Sequence, residues 1–480
     1  MSKNKNTLLF LVTKIIAGLA ALIAISVRSM YINPTQYSNY YLIVQFVGIF
    51  NVVFISWISE SCARYYESTT DKKMYYTTYI ISLMVAMIVS ILLVFSIGYF
   101  FSNALVFDYA LFVIGIIITS ALSEVLTQIF RMSNKVVMFS IMMIFSSISN
   151  IVIFIVLPKS MGISSLFLTT ILINLVLAIF SFFYLKIYSY ISLKSFSYSF
   201  LKKSLRYSLP LIIVWGSIWI FNSSNTFLIE YFIGNEQVSF YNMAHTVTFQ
   251  SLGIITSAFL FAIFPTLLSF WNTGNYEMVE REIGNSITIV IKFLIPAAIG
   301  LCAVSPFLYG TIINQSYNPN FEGTILLVLF SISVIIDFIY QIVVRIWNLE
   351  EKTINIAISG AVSSVFNLLL SVIFLFLFKN YLLAAIIYLV TIFLRATIVF
   401  IIMRKKWKFA IDVKAIFVSL LFSLIMGTTV FYFLKYTPTN LLFLFFGITI
   451  GLFVYLVPMI ITKQLKRETR LLLSFIQHNK

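Results

Sequence analysis

Apolar runs of about twenty residues recur along the whole chain, more than any water-soluble core could take in. A helix crossing a bilayer needs about 20 mostly apolar residues, because each residue rises only ~1.5 Å against ~30 Å of hydrocarbon. Such runs fall at 7–32, 38–62, 74–100, 107–130, 136–157, 162–185 and 207–230, and again at 238–270, 284–309, 323–346, 353–378, 381–403, 412–434 and 440–462. The expected fold is an all-α polytopic membrane protein of about 14 transmembrane helices. Composition agrees, with 61% hydrophobic residues, 10% charged ones and a mean hydropathy of +1.01. Soluble domains lie far from these values. The run at 238–270 is long enough to hold a surface turn or a tilt.

A net charge of +16 in a soluble protein would suggest nucleic acid. Here the cations sit in short connectors, and 25 of the 32 Lys and Arg fall on one side if the runs alternate. Only Lys159, Lys379 and Lys435 fall on the other. Cation-rich loops stay cytoplasmic, so both termini are expected there. The Lys3/Lys5 start resembles a secretory leader, but Lys14 interrupts the apolar stretch and no small-residue cleavage site precedes Asn33-Pro34. The reading is a retained first helix. Cys62 and Cys302 read as packed thiols.

The longest connector, Lys186–Arg206, carries five cations among aromatics and is expected to lie at the lipid headgroups. It leaves six helices before it and eight after. Two internal matches suggest a duplication. Gln36-Tyr37-Ser38-Asn39-Tyr40 opens the second helix and Gln237-Val238-Ser239-Phe240-Tyr241 the eighth. Lys135, Ser147 and Asn150 in the fifth recur as Lys352, Ser364 and Asn367 in the eleventh, at identical spacing. An offset of six helices keeps the halves parallel, related by an axis along the membrane normal. The expected organisation is an N-terminal six-helix lobe (1–190), a basic linker (191–206) and a C-terminal six-helix lobe (207–408). Two further helices and a basic cytoplasmic tail (409–480) complete it. The lobes would form a parallel pseudo-two-fold pair around a central cavity, opened alternately to either side.

Two stretches carry a family resemblance. Ile32 to Tyr40 (Ile-Asn-Pro-Thr-Gln-Tyr-Ser-Asn-Tyr) and Leu205-Arg206-Tyr207-Ser208-Leu209-Pro210 with Phe227–Tyr241 resemble the Wzx-type polysaccharide flippases. These belong to the multidrug/oligosaccharidyl-lipid/polysaccharide exporter (MOP) superfamily. Phe264-Pro265 to Trp271 and Asn275-Tyr276-Glu277 resemble that family's exit from the eighth helix. Where its members commonly carry Asp-Arg, this chain has Asn225-Thr226. The resemblance implies a transporter, not an enzyme, in the bacterial cytoplasmic (inner) membrane. It would move an undecaprenyl-pyrophosphate-linked oligosaccharide from the cytoplasmic to the periplasmic leaflet for O-antigen, capsule or exopolysaccharide assembly. Partners would be the lipid-linked glycan, the bilayer, a coupling proton or sodium ion and the polymerase machinery. No nucleic acid, cofactor or metal is expected.

Charge inside the membrane costs about 2.5–3.5 kcal/mol per residue, so it normally serves a pair, a wet cavity or a snorkel. Lys14 and Arg28 lie on one stripe of the first helix with Gly18, Ala21 and Ile25, at about 100° per residue. They read as cavity cations or as snorkels to either surface. Lys292, ahead of Pro296, and Arg395, deep in the twelfth helix, are the other candidates for binding phosphate. Asp337 is either a coupling carboxylate or the structural partner of Lys292 or Arg395, with Gln341 and Arg345 on nearly the same face. Glu60 and Arg64, four apart, read as an ion pair; with Glu124 and Gln128 they are candidates for a cavity mouth. His245 reads as a hydrogen-bonded interior histidine, and Asn51, Asn150, Asn174 and Asn367 as bridges between helices.

Three rivals remain. A glycan polymerase needs outer loops rich in acids, Arg or His, whereas the outer connectors here are short. A cation-coupled drug antiporter of the same superfamily needs acids for cationic cargo, whereas four deep cations face one deep acid. A lipid II flippase would share the fold and the cationic cavity.

Overall fold

The computed structural model describes residues 3–101, 108–133, 135–462 and 464. The expected basic tail from Lys463 onward therefore lies outside the described residues, apart from Gln464. Every regular element among them is helical, and fourteen helices are long and apolar enough to cross a membrane. Their order is α1 Lys3–Tyr31, α2 Pro34–Tyr65, α3 Lys72–Phe101, α4 Ala110–Met132, α5 Val136–Val156, α6 Ser164–Tyr184 and α7 Tyr198–Phe232. There follow α8 Asn235–Asn272, α9 Tyr276–Thr311, α10 Glu322–Val343 with a short extension Arg345–Leu349, α11 Thr353–Phe378, α12 Leu382–Arg404, α13 Val413–Lys435 and α14 Leu441–Ile461. The chain is a multi-pass membrane protein. Large apolar side chains such as Leu92, Leu111, Phe376 and Phe453 stand exposed, as they must where the solvent is lipid.

Hydropathy misjudges helix ends where the first turns are polar. Helix α9 begins at Tyr276 because Asn275 caps it, accepting the Met278 N–H at 3.2 Å, and a cap outweighs the polarity of Glu277, Glu280 and Arg281. No turn interrupts α8, which carries Pro265 inside one continuous helix. Helix α2 contains a π-helical turn, Asn51–Ile55. The Asn51 amide faces Ser120 of α4, at 3.2 and 3.3 Å.

The chain divides into two compact units, residues 1–239 with 360–379, and 240–359 with 380–480. In the first, α4 packs on α6 and α1 on α5. The start of α2 meets the start of α8, where the Ser38 hydroxyl donates to the Asn235 carbonyl and the Asn235 amide donates to Asn39 Oδ1 at 2.5 Å. Ser38 and Asn39 belong to the first Gln-x-Ser-x-Tyr segment, and Asn235 lies two residues before the second. In the second unit α10 packs on α12, the same pairing as α4 with α6 moved on by six helices. Arg28 of α1 donates to Asn150 of α5; six helices later, Ser364 of α11 donates to the Ser217 carbonyl of α7 at 2.6 Å. The compact units are set by packing and not by the order of the spans. Thus α7 belongs with the first unit and α13 and α14 with the second.

Helix α14 is held to α9 by a defect in α9. Pro296 has no N–H to give the carbonyl four residues back, at Lys292. The Tyr455 hydroxyl of α14 donates to that carbonyl at 2.5 Å and sits 2.8 Å from Ser419 of α13. Tyr455→Phe removes this donor from the buried carbonyl, so a loss of about 1–3 kcal/mol is expected, measured by thermal denaturation in detergent. An unchanged transition would show that Tyr455 is not what satisfies Pro296's orphaned partner.

Candidate functional site

Arg28, at the end of α1, is a buried cation of the first unit. Its residue is 9% exposed, and the exposed face of α1 is occupied by Leu19, Ile23 and Met30. The guanidinium donates to Asn150 Oδ1 of α5 and forms a hydrogen bond with Tyr37. It lies 6.0 Å from the ring centroids of both Tyr40 and Phe154. Asn33 caps α2 by accepting the Gln36 N–H at 2.8 Å, which starts the helix so that Tyr37, Tyr40 and Tyr41 cluster. Neutral amide, phenol and ring faces each offset part of the cost of burying a charge. Among the described residues no carboxylate pairs with Arg28, so the pocket keeps its positive charge. In the sequence Arg28 and the Gln36–Tyr40 segment stand apart, and the packing of α1 against α2 joins them.

Lys14 lies half-buried on the same stripe, with Gly18 and Ile25 buried behind it. The expected Glu60–Arg64 pair does not form: Arg64 instead stands 5.8 Å over the Tyr207 ring, where a cation gains from an aromatic face. Arg131 of α4 is the cation whose charge reaches Glu60, and Glu60 in turn acts on Glu124. Gln128 lies half-buried one turn on.

In the second unit Arg395 of α12 pairs with Asp337 of α10 at 2.7 Å, with the side chains 13% and 17% exposed. Gln341 donates to the other carboxylate oxygen at 2.5 Å. The guanidinium lies 4.1 Å from the Tyr340 ring, and Tyr340 is 2.9 Å from Ser359. Arg345, on nearly the same face by sequence, turns to the Phe264 ring at 5.5 Å. Of the two partners expected for Asp337, the structure brings Arg395. Lys292 is instead 6% exposed and donates to the Gln464 carbonyl at 2.9 Å, just past α14. A cation is favoured there because helix ends leave carbonyls unpaired and carry negative partial charge. His245 is stacked on Phe249 at 4.3 Å and set edge-on to Phe330 and Tyr388. Its Nε2 meets no partner among the described residues.

Beside the α9–α14 staple lies an apolar cavity of about 400 Å³. Phe293 and Pro296 of α9, Met426 of α13 and Leu444, Leu452 and Leu456 of α14 line it. Its walls can take a hydrocarbon chain and offer almost nothing to a charged group. Asn225 and Thr226 are fully buried in α7, a place where uncharged side chains avoid the cost of intramembrane ions. Among the described residues no cluster of three or more His, Cys, Asp or Glu is placed to hold a metal.

A sequence search of curated proteins finds no relative. The fold is similar to that of the lipid II flippase MurJ in an inward closed conformation, with a TM-score of 0.73 at 14% identity over 96% of this chain and 100% of that one. It is also similar to an inward-facing multidrug resistance MATE family transporter of the MOP superfamily, with a TM-score of 0.61 at 17% identity over 82% and 94% of the two chains. At these identities the likeness establishes the fold alone. A family model described as polysaccharide biosynthesis protein matches residues 4–271, more than half of the sequence, and the chain belongs to that family.

Proposed function

We propose that the protein is a flippase. It carries an undecaprenyl-pyrophosphate-linked oligosaccharide from the cytoplasmic to the periplasmic leaflet, with both termini cytoplasmic and Arg28 meeting the diphosphate. The observation that carries this reading is the buried positive charge of Arg28, which no carboxylate offsets among the described residues. A guanidinium held by neutral partners retains donors for phosphate oxygens, which it binds in bidentate fashion. Lys14, on the same stripe, would add a second cation. The apolar cavity of the second unit, taken by itself, has walls that suit a prenyl chain. Cationic drugs would need an available acid, yet the deep acid Asp337 is already neutralised by Arg395. That disposition favours anionic cargo and leaves Asp337 as a structural carboxylate or a coupling one.

The test is a deletion in the native host followed by lipid extraction. The lipid-linked repeat unit should accumulate on the cytoplasmic face and surface polysaccharide should vanish, both restored by the intact gene. If peptidoglycan precursor accumulates instead, the cargo is lipid II. A strain with normal glycan and heightened drug sensitivity would replace the proposal with drug export.

A further inference from the structure

Four chain segments of the second unit end at one place and build a cleft of about 590 Å³. That size lies within the usual range for small-ligand sites, about 300–1,000 Å³. Its apolar wall is aromatic. Trp271, at the end of α8, and Trp407, just after α12, have ring centroids 5.9 Å apart. Tyr276, at the start of α9, stands edge-on to both, at 4.9 and 6.1 Å. The polar wall is Glu350 between Lys406 at 2.6 Å and Lys352 at 3.0 Å, with Glu280 alongside. Although burial opposes the charge, the two ammonium groups hold the Glu350 carboxyl below its ordinary range.

The wall is built to stay in place. The connector after α12 lies so close to α9 that a Cβ on Gly284 would meet the Ala410 carbonyl oxygen at 2.6 Å. Thr288 Oγ1 accepts the Asp412 N–H at 3.1 Å and Glu280 accepts the Lys408 N–H at 2.8 Å. Trp407 is therefore anchored, 6% exposed, and its indole N–H meets no acceptor among the described residues. Tyr276 is 50% exposed and open to a ligand.

Charge balance selects the ligand class. The charged side chains that line the cleft, two lysines and two glutamates, sum to zero, which singles out neither a phosphate nor a basic peptide. Flat rings offer apolar area to the C–H face of a pyranose, while carboxylates and ammonium groups match a ring of hydroxyls. We propose that this cleft is a saccharide subsite, taking one or two neutral pyranose units. It rests on the glycan-carrier reading above, and in that reading it holds sugars of the cargo at the cation-rich membrane surface.

The test uses the full-length protein in detergent. It is titrated with maltose, N,N′-diacetylchitobiose and the repeat-unit oligosaccharide released from the host's own polysaccharide. Tryptophan fluorescence and saturation-transfer NMR read the binding. Saturable millimolar binding of a neutral saccharide is expected, about tenfold weaker in Trp271→Ala and in Tyr276→Ala, or about 1.4 kcal/mol. Trp271→Phe, which keeps a ring, should retain most of it, and an unchanged thermal transition certifies the fold. The proposal is overturned if no saccharide saturates, if the alanine variants bind like the parent, or if phosphatidylglycerol vesicles displace the sugar. Translocation in vesicles separates the two readings. Transport without saccharide binding removes this site alone; saccharide binding without transport removes the flippase and keeps the site.

Discussion

Replacing Arg28 by alanine is expected to abolish surface polysaccharide while leaving the protein in the membrane at normal level and with unchanged or higher thermal stability. The two halves of that result have separate causes. A charge-assisted hydrogen bond contributes about 1.5–3 kcal/mol, so losing the guanidinium should weaken head-group binding by about 10- to 150-fold. Stability should not fall alongside, because Arg28 is a buried cation without a carboxylate partner among the described residues. Removing such a charge relieves a desolvation cost of several kcal/mol. Asn150 loses its donor, but it is only half-buried. Arg28→Lys keeps the charge and loses the fork, so partial function is expected. Glycan staining with membrane immunoblots reads the first half, and thermal denaturation in detergent the second. An Ala variant that unfolds would make Arg28 structural and remove it from the transport proposal.

Arg395 should behave in the opposite way. Arg395→Ala leaves Asp337 as a buried charge with only Gln341 as an identified donor, and a loss of about 3–5 kcal/mol is expected. Little protein should reach the membrane. The double variant Arg395→Met/Asp337→Leu removes both charges at similar volume and should regain most of that stability. A double-mutant cycle of denaturation midpoints measures the coupling. If the double variant is stable and still exports glycan, the pair is structural. If it is stable and inactive, the charged pair is needed for transport, and Asp337→Asn then separates a coupling role of the carboxylate from a binding role of Arg395.

Two cations that read alike in the sequence thus separate in the structure, and the reason is distance along the chain. Arg28 and Asn150 are far apart in sequence, as are Arg395 and Asp337. Hydropathy says only that each lies in an apolar run. It cannot say whether the residue across the helix crossing is an amide or a carboxylate. Lys292 shows the same limit from another side. Its burial depends on Tyr455 and the end of α14, which nothing near Pro296 foretells.

What the sequence alone determined is what depends on one segment at a time. The fourteen spans follow from length and apolarity, since lipid demands that each crossing satisfy its own backbone. Matching segments in the sequence suggest an offset of six helices; in the structure α4 packs on α6 and α10 on α12. Tertiary structure decided which charges are compensated. It set Arg28 among tyrosines and an amide, matched Arg395 to Asp337, gave Lys292 to a helix end, and drew Trp271, Tyr276 and Trp407 into one wall. The free energy of a buried charge is fixed by its nearest few neighbours in space, and those come from helices that only packing brings together.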